Sequence, residues 1–190
     1  LLGWADQVRR LGIRANADTP ESATLARRLG AEGIGLCRTE RMFNHPDRLP
    51  IVVEMILSQN RDERIKALDR IMALQKGDFK LILQVMSGLP VTIRLLDPPL
   101  HEFLPSIEQL LLEIRKMETA GSSPVLIKEK RGILEKARGL FETNPMLGHR
   151  GVRLGITSPE IYEMQIRAIG EAAGELMKEG VDVRPQIMVP

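Results

Sequence analysis

Short apolar runs that end in charged or hydroxyl-bearing turns alternate along this chain with longer stretches of helical periodicity. That alternation is the signature of repeated βα units around a parallel sheet. The first run, Ile13-Arg14-Ala15-Asn16-Ala17, leads into Asp18-Thr19-Pro20. There Thr19 suits a helix cap and Pro20 the first helical position, and the helix stops at Gly30. A second strand is predicted over Gly33–Cys37, running into Arg38-Thr39-Glu40, with helical periodicity from Pro46 to about Met86. A third strand, Val91–Leu96, closes on Asp97-Pro98-Pro99. Two helices near Ile107–Thr119 and Pro124–Phe141, separated by Gly121-Ser122-Ser123, read as a helical insertion over about 106–142. A fourth strand is expected at Val152–Ile156, then a helix capped by Ser158 with Pro159 at its first position, and a fifth strand over Val183–Val189.

About five βα units in 190 residues fit either a doubly wound sheet or part of an eight-stranded barrel. A complete (β/α)8 barrel takes about 250 residues, so the barrel reading is a partial one with exposed strand edges, forming a single domain over residues 1–190. The chain opens on Leu1 instead of methionine and stops at Pro190, directly after an apolar strand. Those ends read as a piece cut from a longer protein.

Composition removes several classes. A net charge of +2 gives no footing for nucleic acid. No apolar run approaches the roughly 20 residues of a membrane helix. The single cysteine, Cys37, excludes an intrachain disulfide and points to a reducing, cytoplasmic setting. Arg outnumbers Lys by more than two to one, a bias toward the side chain that grips phosphate or carboxylate bidentately.

Active sites of parallel βα folds gather at the C-terminal strand ends. Here those ends carry Asn16 and Asp18, then Arg38 and Glu40, then Arg94 and Asp97, with Asn144, His149 and Arg150 in the turn before the expected fourth strand and Arg153 close behind. Arginines converging on one face would make an anion pocket. Arg94 interrupts an apolar strand, so it either faces a polar barrel mouth or pairs with Asp97 or Glu40. His101 and His149 lack metal-ligand spacing and read as hydrogen-bonded structural histidines, and Cys37, flanked by apolar residues, as a buried core thiol. No Walker or dinucleotide glycine loop is present.

The same residues carry a resemblance. Ala15-Asn16-Ala17-Asp18, Gly33-Ile34-Gly35-Leu36-Cys37-Arg38-Thr39-Glu40-Arg41-Met42-Phe43 and the run from Val91 to Pro105 resemble the barrel domain of the pyruvate phosphate dikinases. Asn144-Pro145-Met146-Leu147-Gly148-His149-Arg150-Gly151-Val152-Arg153-Leu154-Gly155 and the closing Pro185–Pro190 do so too. The likeness is weakest from about Ile107 to Phe141. Phosphoenolpyruvate synthases and enzyme I of the sugar phosphotransferase system share the Arg-Thr-Glu signature, but Leu95-Leu96-Asp97-Pro98-Pro99-Leu100-His101-Glu102-Phe103 favours the dikinases.

The resemblance implies a partial (β/α)8 barrel of the phosphoenolpyruvate/pyruvate-binding type. It also implies a phosphotransferase that interconverts ATP, phosphate and pyruvate with AMP, pyrophosphate and phosphoenolpyruvate through a phosphohistidine. Arg38 and Arg94 would grip the phosphoryl group, with Arg150, Asn16 and Glu40 in support. A magnesium ion is implied, with its carboxylate ligands and a proton-donating cysteine expected beyond Pro190. Expected partners are the phosphohistidine swivelling domain and the nucleotide-binding domain of the same parent chain, in a homodimer. The isolated piece is expected to be inactive. The alternatives are a stand-alone anion-binding module, or the equivalent domain of the two related enzymes.

Overall fold

The computed structural model describes residues 2–141 and 143–190, so the far bound of the expected insertion, residue 142, lies outside the described residues. A short helix α1 (Leu2–Val8) precedes strand β1 (Ala15–Asn16). Helix α2 (Pro20–Arg28) begins as the sequence dictates: the Thr19 side chain accepts the backbone N–H of Ser22, and Pro20 occupies the first turn. Its exit passes through Gly30 at φ 91°, a left-handed conformation that favours glycine. Strand β2 (Ile34–Arg38) is followed by one turn of helix, α3 (Glu40–Phe43).

The helical stretch beyond it divides into α4 (Leu49–Leu57) and α5 (Arg61–Val85). The break at Ser58-Gln59-Asn60 has a local cause. The Asn60 side chain accepts from the Glu63 backbone at 2.9 Å, and the Glu63 carboxylate accepts from the Gln59 backbone at 3.0 Å. Strand β3 (Pro90–Arg94) leads through a 3-10 turn at Leu100–Phe103 to α6 (Ile107–Thr119), opened by a reciprocal Ser106–Gln109 capping box. Helix α7 (Pro124–Leu140) packs back on α6.

The expected fourth strand is a helix. Residues Val152–Thr157 form α8, followed by α9 (Pro159–Lys178) and strand β4 (Arg184–Met188), so among the described residues the sheet has four strands and not five. Periodicity alone does not separate a five-residue apolar run in a strand from a turn of buried helix. Here β4 already occupies the edge of β3 that another strand would need. Within α8 only Leu154 is buried, while Val152 and Ile156 face out. Ser158 also departs from expectation: it stands at the cap position of α9 without a capping bond, and its hydroxyl accepts from Arg64 at 3.3 Å.

The sheet is parallel and open, in the order β1-β2-β3-β4. Alternation along β3 decides its two faces. Val91 and Ile93 are fully buried and join a core with Phe79, Ile82 and Leu83 of α5 and Ala168, Ile169 and Leu176 of α9. Thr92 points the other way, where Arg14 and Thr92 both donate to the Gln186 amide oxygen, at 2.7 and 3.0 Å. Arg14 reaches across β2 because Gly35 has no side chain; a Cβ there would lie 3.1 Å from Arg14 Cβ. The face that carries Thr92 also carries Arg94.

Candidate phosphate-binding site

Arg38 and Arg94 end adjacent parallel strands and are direct register partners, so both side chains leave the same face of the sheet. Arg94 is fastened by two carboxylates, Glu40 at 2.5 Å and Asp97 at 3.0 Å. Of the two readings of Arg94, the paired one holds, and with both Glu40 and Asp97. Asp97 also takes Arg150, through Nη2 at 2.6 Å and Nε at 3.2 Å, so one carboxylate ties two guanidinium groups. The hydrogen bond to Asp97 pushes the pKa of Arg150 further up from its already basic value.

On the other side, Asp18 Oδ1 accepts the Arg38 backbone N–H at 2.6 Å. Asp18 Oδ2 lies 3.2 Å from Arg41 Nε and 3.9 Å from Arg38 Nη1. Arg38 is consequently the least neutralised guanidinium of the group. Four arginines (Arg38, Arg41, Arg94 and Arg150) share three carboxylates (Asp18, Glu40 and Asp97), leaving one surplus positive charge in the cluster. Arg94 Nε and Glu40 Oε2, both buried, make no hydrogen bond to the described residues, so the pair keeps one donor and one acceptor unspent.

Of the residues expected at the site, Arg38, Glu40, Arg94 and Arg150 are brought together. Asn16 is exposed at the end of β1, in register with Leu36 and thus two residues below Arg38, and makes no hydrogen bond to the cluster. Asn144 serves its own loop, accepting the Met146 backbone N–H at 3.0 Å, and Arg153 donates to the Leu147 carbonyl. His149 shares a 2.7 Å hydrogen bond with Thr157. Cys37 is completely buried, and burial pushes its thiol up to about 12.

Sequence reading missed the residues that hold the end of β3. From α9, Tyr162 donates to the Leu96 carbonyl at 2.9 Å, and the Gln165 side chain accepts the Leu96 N–H at 2.8 Å. Both backbone groups beside Asp97 are thus fixed by side chains that looked like ordinary helix positions. The sequence signal available was the place of Gln165 on the apolar stripe of Ile161, Ile169 and Ala172, since an amide buried there must find partners. Gly151, at φ 56°, donates to the Asp97 carbonyl at 3.0 Å and carries Arg150 into reach.

Among the described residues no group of three or more His, Cys, Asp or Glu side chains is disposed to hold a metal, and the three carboxylates of the cluster are each engaged by arginine. Nor, among the described residues, is any helix long and apolar enough to cross a membrane. What remains is a half-buried, net-cationic group of planar guanidinium forks, the chemistry that recognises a phosphoryl or carboxylate group.

Comparison with known proteins gives the family of the chain. All 190 residues match the family of the PEP-utilising enzyme, PEP-binding domain. The chain is 57% identical over its whole length to a pyruvate, phosphate dikinase of Entamoeba histolytica, covering 21% of that protein. It is 52% identical to the chloroplastic pyruvate, phosphate dikinase 1 of Oryza sativa subsp. japonica and 50% identical to a pyruvate, phosphate dikinase of Giardia intestinalis. It spans 19% and 21% of those two, so it is about one fifth the length of the relatives it matches. On the full-length family match, this chain belongs to the PEP-binding domain family of the PEP-utilising enzymes.

Proposed function

We propose that this chain is the phosphoenolpyruvate/pyruvate-binding part of a pyruvate, phosphate dikinase. In that reading the four parallel strands are half of a (β/α)8 barrel over residues 1–190, and the α6–α7 pair is an insertion on it. The single observation that carries the proposal is the in-register Arg38–Arg94 pair, joined to Arg150 through Asp97 at one end of the sheet.

The reaction interconverts ATP, phosphate and pyruvate with AMP, pyrophosphate and phosphoenolpyruvate. In its pyruvate half, the phosphoryl group leaves a phosphohistidine nitrogen and bonds to the enolate oxygen of pyruvate, whose methyl group gives up a proton. Charge spreads over the equatorial oxygens of the transferring group, and Arg38, Arg94 and Arg150 would bind and stabilise those oxygens. Glu40 holds Arg94 in place, and Asn16, at the neighbouring strand end, is the lesser support. Magnesium would supply charge neutralisation at the substrate oxygens, held by residues elsewhere in the larger protein, since Asp18, Glu40 and Asp97 each pair with arginine here. The phosphohistidine domain, the nucleotide-binding domain and a second subunit are the proposed partners. The cytoplasm is the proposed compartment, resting on the lone buried Cys37.

Exchange of labelled pyruvate into phosphoenolpyruvate tests the reading. The full-length protein that carries this chain should catalyse it, Arg94→Lys should abolish most of it, and the isolated 190-residue chain should show none. Exchange surviving Arg94→Lys undiminished would contradict the proposal.

A further inference from the structure

Arg41 lies outside the strand-end pair, with its side chain 67% exposed. Its position relative to Asp18 suggests a task. Asp18 is 93% buried by its side chain and has two oxygens to distribute. One accepts the Arg38 backbone N–H at 2.6 Å, which fixes the strand end. The other sits nearer Arg41, at 3.2 Å, than the Arg38 guanidinium, at 3.9 Å. Arg94 and Arg150, in contrast, each contact a carboxylate at 2.6 Å or less.

We propose that Arg41 is a positioning residue: it occupies the charge of Asp18 and so leaves Arg38 as the guanidinium free to receive an incoming phosphoryl oxygen. The inference rests on the phosphoenolpyruvate-binding reading of the site. Its physical basis is competition. A carboxylate with one nearby cation satisfies that cation fully, whereas a carboxylate shared between two holds each less tightly. With Arg41 present, Asp18 spends one oxygen on the backbone and most of the other on Arg41. Without Arg41, the Arg38 guanidinium is the remaining cation within reach of Asp18, and a ligand must displace that carboxylate before binding. The loss falls on ground state and transition state alike, so it raises KM and leaves kcat largely alone.

The test is titration calorimetry of phosphoenolpyruvate into the full-length protein, with KM and kcat measured alongside. Arg41→Gln should weaken binding about threefold to fivefold, the scale of a partly exposed ion pair, and Arg41→Lys should restore most of it. The same Arg41→Gln change should be silent in an Asp18→Asn background, where no charge is left to capture Arg38. It should also be silent in an Arg38→Gln background, which serves if Asp18→Asn does not fold. A silent Arg41→Gln in the parent background overturns the proposal. So does an equal loss in all backgrounds, which would make Arg41 a direct ligand contact. Failure of the unmodified protein to bind phosphoenolpyruvate would instead overturn the reading of the site itself.

Discussion

Arg38 and Arg94 are Cα register partners on neighbouring parallel strands, two cations side by side at one end of the sheet. Like charges directly opposed across strands destabilise a fold. The chain offsets this unevenly, placing Glu40 and Asp97 on Arg94 and only a loose 3.9 Å contact from Asp18 on the Arg38 guanidinium. An arrangement built for stability alone would neutralise both. This one keeps a cation available.

Two substitutions at Arg94 separate stability from binding. Arg94→Ala leaves Glu40 and the Asp97 bridge partly uncompensated in a site with little solvent, and should cost about 3–5 kcal/mol in urea unfolding. Arg94→Lys keeps the charge but not the fork. It should retain more of the stability while weakening phosphoenolpyruvate binding by about tenfold to a hundredfold, the range of a charge-assisted hydrogen bond.

The clamp on Leu96 makes a second prediction. Tyr162→Phe removes the hydroxyl that satisfies the Leu96 carbonyl and should cost about 1–2 kcal/mol in the same unfolding measurement. Gly155 packs on that ring, and a Cβ there would sit 2.7 Å from it. Gly155→Ala should therefore cost about 1–3 kcal/mol by overpacking, and should do so in the Tyr162→Phe background as well.

The contrast between these two sets of residues shows where sequence reading succeeds. Thr19-Pro20, Gly30 and the strand ends at Arg38 and Arg94 carry local chemistry that fixes local structure, so the first three strands and the bounds of α6 were legible. Val152–Ile156 was misread because its five residues suit strand or helix equally, and the deciding fact, that β4 pairs with β3, lies some thirty residues downstream. The arginine cluster was legible because a charge inside an apolar strand demands a partner. The division of Asp97 between Arg94 and Arg150 and the hold of Tyr162 and Gln165 on Leu96 were not, since both depend on contacts between distant segments.

Alkaline pH should loosen the fold through two buried groups. Cys37 is pushed from 9.0 up to about 12, first by burial and then by Asp18, and Tyr162 from 10.0 up to about 12, first by burial and then by Asp97. A raised pKa means the native state holds a proton that the unfolded chain releases. The stability is thus fully present below pH 9, and is lost as pH rises from 9 toward 12 for Cys37 and from 10 toward 12 for Tyr162. The slope is at most about 1.4 kcal/mol per pH unit for each group. Cys37→Ala should flatten the onset, and native Cys37 should resist alkylation at neutral pH.

Acid should act through a surface network instead. Lys76 and Lys80 of α5 bridge Glu171, Glu175 and Glu179 of α9 and the turn after it, and these lysines hold the carboxyl of Glu175 below its usual range. A lowered pKa contributes stability that is present above 4.5 and is lost as pH falls through the depressed value. Glu175→Gln should flatten the acid limb of the stability profile and reduce its salt dependence, as measured by thermal unfolding across pH and ionic strength.

The central claim is that the register-paired arginines grip a phosphoryl group, and titration calorimetry of phosphoenolpyruvate into the full-length protein tests it most directly. The account predicts binding that falls by about tenfold or more in Arg38→Gln and Arg94→Lys alike, because each removes a charge-assisted contact. Binding of undiminished strength in both variants, with the fold intact, would contradict it.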